Sequence, residues 1–157
     1  MPDFSVFTPG ERALLLALNK RGVRFLLVGA SAAVLQGANT STQDIDLWFE
    51  NLNAPEIGLA VRDANGIWVS GAFGMRPPQI GGDAVGNRLD VVTHMHGLGD
   101  FSAEWAHSFE VTIDSVVLRV LALERIIESK RATGRKKDAA ALPALEEALA
   151  VLKNQKR

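Results

Sequence analysis

The sequence predicts an α+β (α/β) fold in which a small mixed β-sheet is flanked by helices. Two observations carry this. Short apolar, β-rich runs alternate with segments of helical period through residues 9–120, and from Leu121 onward the pattern is helical throughout. The chain has 157 residues, 47% of them hydrophobic, enough for one core of ordinary size. The expected organisation is one domain over residues 1–157, with a core at about 9–120 and a helical tail at about 121–157.

The elements follow in order. Thr8-Pro9-Gly10-Glu11 reads as a helix start: Thr8 caps, Pro9 suits the first helical position, and Glu11 completes a capping box. That helix runs to about Lys20, and Gly22 stops it. Residues 23–28 form a buried strand, and residues 29–37 a short helix framed by glycines. Residues 44–49 alternate and are β-rich, which predicts a second strand. A helix is expected at 54–64. Residues 66–87 hold six glycines and the Pro77-Pro78 pair, so this span is loop-rich, with one short strand near 67–69. Residues 88–94 are a third strand. Residues 109–113 and 115–120 read as a hairpin or as two short strands around Asp114-Ser115. Helices follow at 122–132 and 136–152, the second with Leu142, Leu145, Leu149 and Leu152 on one face. Pro143 predicts a break near Leu142. The expected order is α-β-α-β-α-β-β-β-α-α.

Bulk properties narrow the function. The net charge is -1, so no broad basic field advertises nucleic acid. The chain has no cysteine, which excludes disulfides and thiolate metal sites. The N-terminus carries acids early and lacks a signal-peptide layout. The most apolar stretch, residues 23–35, contains Arg24 and is too short to span a bilayer. These features predict a cytoplasmic protein with no membrane contact.

The residues of chemical interest lie in the stretch LLVGASAAVLQGANTSTQDIDLWFE, residues 26–50. On a strand, side chains at i and i+2 share a face, so Asp44 and Asp46 point the same way. Two carboxylates so close repel unless a cation sits between them. Oxygen ligands suit a hard ion such as Mg²⁺. The pair also reads as two solvated acids on an exposed edge strand. Upstream, a strand ending in Val28-Gly29 runs into a small-residue helix start. Free amides there can bind an anion, and glycine lets a phosphate approach; tight helix–strand packing is the other reading of Gly29-Ala30-Ser31. A third acid, Asp90, lies mid-strand among Leu89, Val91 and Val92. Beside the first pair it completes a three-carboxylate cluster of the kind two-metal phosphoryl transfer requires.

This arrangement resembles the polymerase-β-like nucleotidyltransferase superfamily, whose pattern is a strand, a Gly-Gly or Gly-Ser turn, a helix, Asp-x-Asp, and a third Asp on a later strand. The matching residues are Val28-Gly29-Ala30-Ser31-Ala32-Ala33, Thr42-Gln43-Asp44-Ile45-Asp46-Leu47 and Leu89-Asp90-Val91-Val92. The tail, with Lys130 and the Gly134-Arg135-Lys136-Lys137-Asp138 stretch, is similar to the C-terminal helices of small, stand-alone bacterial members, some of which are toxins in toxin–antitoxin pairs. Two positions depart from the pattern: Ala30 replaces the second glycine or serine of the turn, and Thr40 stands where many members carry arginine.

The resemblance implies a nucleotidyltransferase fold with C-terminal helices and a metal-dependent reaction. A nucleoside monophosphate passes from a nucleoside triphosphate to an acceptor hydroxyl, and pyrophosphate leaves. It implies that Asp44, Asp46 and Asp90 are catalytic and hold Mg²⁺ or Mn²⁺, and that Gly29, Ala30, Ser31, Thr42 and Lys130 contact the nucleotide. The acceptor stays open among an RNA end, a protein hydroxyl and a small molecule. A homodimer or a cognate antitoxin is the expected partner. The alternative is a non-catalytic nucleotide-binding or protein-interaction module on the same fold.

Other candidates have ordinary readings. Lys130 falls late in a helix whose apolar face carries Leu123, Ile126 and Ile127, where a solvated lysine complements the helix dipole. Arg131, Arg135, Lys136 and Lys137 form a basic cluster suited to triphosphate, to an RNA acceptor or to a solvated turn. His94 and His96 share a strand face under period-2 spacing, His94 on the face of Asp90. A polar role at the strand end fits them better than a zinc site. Trp48, Trp68 and Trp105 read as core or rim packing, because no basic pattern interleaves them.

Overall fold

The structure is a computed structural model and describes residues 6–39, 44–69 and 77–155. Its elements are α1 (Pro9–Lys20), β1 (Phe25–Val28), α2 (Gly29–Leu35), β2 (Ile45–Phe49), α3 (Pro55–Asp63), β3 (Ile67–Val69), β4 (Gln79–Gly81), β5 (Leu89–Val92), α4 (Phe101–Trp105), β6 (Ser108–Ile113), β7 (Val116–Leu121), α5 (Leu123–Thr133) and α6 (Lys136–Gln155). Five strands form one sheet in the order β5-β2-β1-β7-β6, and β3 and β4 pair separately. In the main sheet β2 runs antiparallel to β1 and parallel to β5. β1 is parallel to β7, and β7 antiparallel to β6. The sheet is mixed, as the sequence predicts.

β1 is central and all four of its residues are buried. A strand covered on both faces reads as a continuous apolar run, which is why Phe25-Leu26-Leu27-Val28 shows no alternation. α1 begins with the expected capping box: Thr8 accepts from the Glu11 amide, and Glu11 accepts from the Thr8 amide. Glu11 is also fully buried and takes both Nε and Nη2 of Arg88, at 2.9 and 2.6 Å. Burial alone would raise its pKa, but the bonds from Arg88 and Thr8 hold it below the ordinary carboxylate value. This buried pair fastens α1 to the start of β5.

Three features differ from the sequence reading. β4 lies in the loop-rich span, too short for a period to register. α4 carries a local start signal: Asp100 caps it by accepting from the Ala103 amide at 2.9 Å. The expected break near Leu142 does not occur, for α6 continues through Pro143. Proline removes one helical hydrogen bond, a cost of about 3 kcal/mol in a helix interior. Both Pro143 and Ala139, whose carbonyl would have accepted that bond, lie on the exposed side, where water can replace it. Leu145 and Ala148 are buried, and Leu142, Leu149 and Leu152 pack beside them. A break would strip that continuous apolar face from the core.

The β6–β7 hairpin turns at Asp114 and Ser115, both with positive φ, 51° and 66°. Two left-handed central residues give the twist that suits a two-residue hairpin, but a serine there is strained. Ser115→Gly should therefore stabilise the fold by about 0.5–1 kcal/mol. Thermal unfolding of the variant beside the parent measures this, and no gain would show that Ser115 is not strained.

Candidate active site

Register brings the acids together. Val28 is the cross-strand partner of Asp46 on one side, and Asp90 is its partner on the other. Asp46 thus sits between the end of β1 and the middle of β5. Asp44 precedes β2 rather than lying in it, and is exposed.

The start of α2 is built around Asp46. Gly29 has φ +68°, and a Cβ on it would fall 2.5 Å from Oδ2 of Asp46. Both facts demand glycine here. The buried Ser31 hydroxyl donates to the Val28 carbonyl at 2.9 Å and accepts from the Asp46 amide at 3.2 Å. It is occupied in tying α2 to β2, so what Ser31 can offer a ligand is its own backbone amide. Gln36, just past α2, bonds the Leu121 carbonyl and the Leu123 amide, which locks α2 to the start of α5.

The electrostatics are those of carboxylates that are partly buried and also crowded by like charge. Burial, then the charges of Asp90 and Asp44, push the Asp46 carboxyl up from 3.8 to about 6, while Lys130 and Lys137 pull it partly back. Asp90 is also raised, by burial, by the charge of Asp44 and by a hydrogen bond with Asp44.

Two cavities meet at Asp46. The first, of about 590 Å³, has Val28, Gly29, Ala30, Asp44 and Asp46 on the sheet side and Lys130, Thr133, Arg135, Lys137 and Asp138 from α5, α6 and the turn between them; His94 and His96 also line it. The second, of about 780 Å³, shares Asp46 and Val92 and adds Asp90, with Pro77, Pro78, Gln79, Asp83 and Asn87.

The expected residues therefore assemble in part. Asp44 and Asp46 line one cavity, Asp46 and Asp90 the next, and Gly29, Ala30 and Lys130 face the first. Among the described residues, no three histidine, aspartate or glutamate side chains are already gathered as a metal site. Thr42, expected to contact nucleotide, and Thr40 lie outside the described residues. His94 does not share a face with Asp90: β5 ends at Val92, so period-2 spacing stops short of it, and both histidines line the other cavity. Their rings meet edge-on at 5.1 Å. Sequence reasoning passed over Thr133 and named Asp138 only as part of the tail stretch, without a role. The only local signal was a threonine and an aspartate flanking a basic run across a glycine.

The acids fit a divalent cation by their chemistry. They offer only hard carboxylate oxygens, and Asp46 and Asp90 are raised by burial and then by repulsion among the acids, both of which a cation would offset.

Two outcomes follow. Gly29→Ala should cost about 1–3 kcal/mol, from left-handed strain and the clash with Asp46; denaturant unfolding measures it, and a neutral result would mean α2 can shift without cost. The second concerns pH. A folded pKa above the unfolded one means the native state holds the extra proton between about pH 4 and 6. The Asp46 contribution to stability is then present at low pH and lost as pH rises through that window. Without metal, Asp46→Asn should match the parent near pH 4 and exceed it by about 3 kcal/mol above pH 7. A difference that does not vary with pH would show Asp46 to be unperturbed.

No family model and no curated protein matches the sequence. Solved structures do match. Two are of the antibiotic-resistance factor ANT(2'')-Ia. One is a solution structure, 16% identical, with TM-score 0.50 over 92% of this chain and 93% of that one. The other is a crystal structure in complex with adenylyl-2''-tobramycin, 15% identical, with TM-score 0.55 over 92% and 95%. A third is an antigenic nucleotidyltransferase-like protein from Paracoccidioides brasiliensis, 18% identical, with TM-score 0.50 over 96% and 90%. At such identities the likeness speaks for the backbone, and the chain has the mixed α+β fold of these nucleotidyltransferase-like structures.

Proposed function

We propose that the chain is a metal-dependent nucleotidyltransferase that moves a nucleoside monophosphate from a nucleoside triphosphate to an acceptor hydroxyl, with pyrophosphate leaving. The observation that carries this reading is Asp46. It is a raised carboxylate pressed against a glycine turn and flanked by two more acids, across a cavity from the cations of α5 and α6. Asp44, Asp46 and Asp90 would hold Mg²⁺ or Mn²⁺, which when bound offsets phosphate charge and makes the acceptor hydroxyl easier to ionise. The amides from Gly29 to Ser31, with Thr42, bind phosphate oxygens, and Lys130 balances the charge that develops on the leaving pyrophosphate. Attack comes from the side opposite the leaving group. With the cations lining the first cavity, the acceptor would enter by the second, whose lining includes Asp90, and Asp90 would take the hydroxyl proton.

The acceptor is a small molecule, a protein hydroxyl or an RNA end. The ANT(2'')-Ia complex, with an adenylyl group on tobramycin, favours the first. The second reading is a non-catalytic nucleotide-binding or interaction module, which the absence of a ready three-carboxylate group among the described residues favours. A role in a toxin–antitoxin pair, with a cognate antitoxin or a second copy as partner, and a cytoplasmic location belong to the enzymatic reading on the strength of the sequence resemblance. No helix among the described residues is long and apolar enough to cross a membrane.

Incubation with each labelled triphosphate, Mg²⁺ and cell extract should label one acceptor. Asp46→Asn should cut that transfer by about a thousandfold while the variant stays folded. Transfer that survives the substitution would sink the enzymatic reading. Lys130→Ala should weaken triphosphate binding by about tenfold and leave nucleoside binding unchanged, as calorimetry with Mg²⁺ would show.

A further inference from the structure

One buried charge has no part in the chemistry above. Asp138, in the first turn of α6, is 4% exposed. Its Oδ1 accepts from Lys130 Nζ at 3.3 Å, and its Oδ2 accepts from Thr133 Oγ1 at 2.6 Å and Arg135 Nε at 2.8 Å. The Thr133 hydroxyl also lies 2.9 Å from the Lys130 carbonyl and accepts weakly from the Arg135 amide at 3.3 Å. All four residues line the first cavity, opposite Gly29 and Asp46. A carboxylate this buried is costly unless fully bonded. Here its bonds reach the cations that face the acids.

We propose that Asp138 is the positioning residue of a phosphate clamp at the α5–α6 junction, which fixes Lys130 and Arg135 to receive the two terminal phosphates of the triphosphate. This rests on reading the first cavity as the nucleotide side. The arithmetic of charge supports it: one carboxylate between two cations leaves net positive charge, and Lys137 in the same wall adds to it. Arg135 is held through Nε alone, which leaves its terminal nitrogens as donors for phosphate oxygens. Its side chain is 70% exposed, and an arginine so exposed would sample many rotamers without an anchor. Lys130, 20% exposed, is held at the opposite oxygen. Binding then loses less side-chain entropy than it would with free cations. The rival role is structural: an acid in the first turn complements the dipole of α6.

The two roles separate on pyrophosphate. Calorimetry with Mg²⁺ should compare pyrophosphate and free nucleoside on the parent, Asp138→Asn, Arg135→Gln and the double variant. Asp138→Asn should weaken pyrophosphate binding by about tenfold, leave nucleoside binding unchanged, and add less than about threefold in the Arg135→Gln background, because the two act as one unit. Equal pyrophosphate affinity in parent and Asp138→Asn, or full additivity with Arg135→Gln, would overturn the clamp and leave the nucleotidyltransferase reading untouched. A parent that binds no pyrophosphate would overturn both. If Asp138→Asn does not fold, Asp138→Glu, which keeps the charge and moves it by one methylene, takes its place with the same outcomes.

Discussion

The placement of the Asp46 carboxylate constrains everything around it. Strand pairing fixes it between Val28 and Asp90, partly out of water and beside like charge. Such a group is unfavourable in the isolated fold, and a site that needs negative charge ready for a cation has to accept that cost. The neighbours follow from it. Position 29 must be glycine because any side chain would meet Oδ2 of Asp46. The Ser31 hydroxyl spans the Val28 carbonyl and the Asp46 amide, and so ties the start of α2 to β1 and β2 beside Asp46.

Holding an unfavourable group in place requires a stiff frame, and the buried ion pairs lie where that frame is needed. Glu11 and Arg88 fasten α1 to the entrance of β5, two residues before Asp90. Glu104 is buried, takes the Gly99 amide, and is bridged at both oxygens by Arg125, which docks α4 against α5. Gln36 joins α2 to α5. The glycine turn and the helix of Lys130, on opposite walls of the first cavity, are thereby set relative to each other. Pairs of this kind are weak evidence for stability, since desolvation offsets much of their attraction. Here they tie together the elements that carry the candidate site.

Much of this was legible in the sequence, for identifiable reasons. The Thr8–Glu11 box, the apolar run of β1, the small-residue start of α2 and the hairpin at Asp114-Ser115 are local signals, and each produced the expected element. The Asp-x-Asp spacing predicted a shared strand face for Asp44 and Asp46; Asp46 lies in β2, whereas Asp44 precedes it. What the sequence could not carry was non-local. β4 is too short for periodicity, and Pro143 sits in a helix whose buried leucines outweigh one lost hydrogen bond. His94 lies past the end of β5, so counting by twos put it on the face of Asp90, whereas it lines the cavity that Asp90 does not. The first cavity exists only once α5 and α6 fold back over the sheet, and the bonds of Asp138 to Lys130, Thr133 and Arg135, though close in sequence, depend on how α5 turns into α6.

The central claim is that Asp46 is a carboxylate held in readiness for a divalent cation. Carbon-detected NMR titration of its carboxyl group, with and without Mg²⁺, tests this most directly. The account predicts an apparent pKa of about 6 without metal and a fall to below about 4 when Mg²⁺ is bound. A value near 3.8 without metal, or one near 6 that saturating Mg²⁺ leaves unchanged, would contradict it.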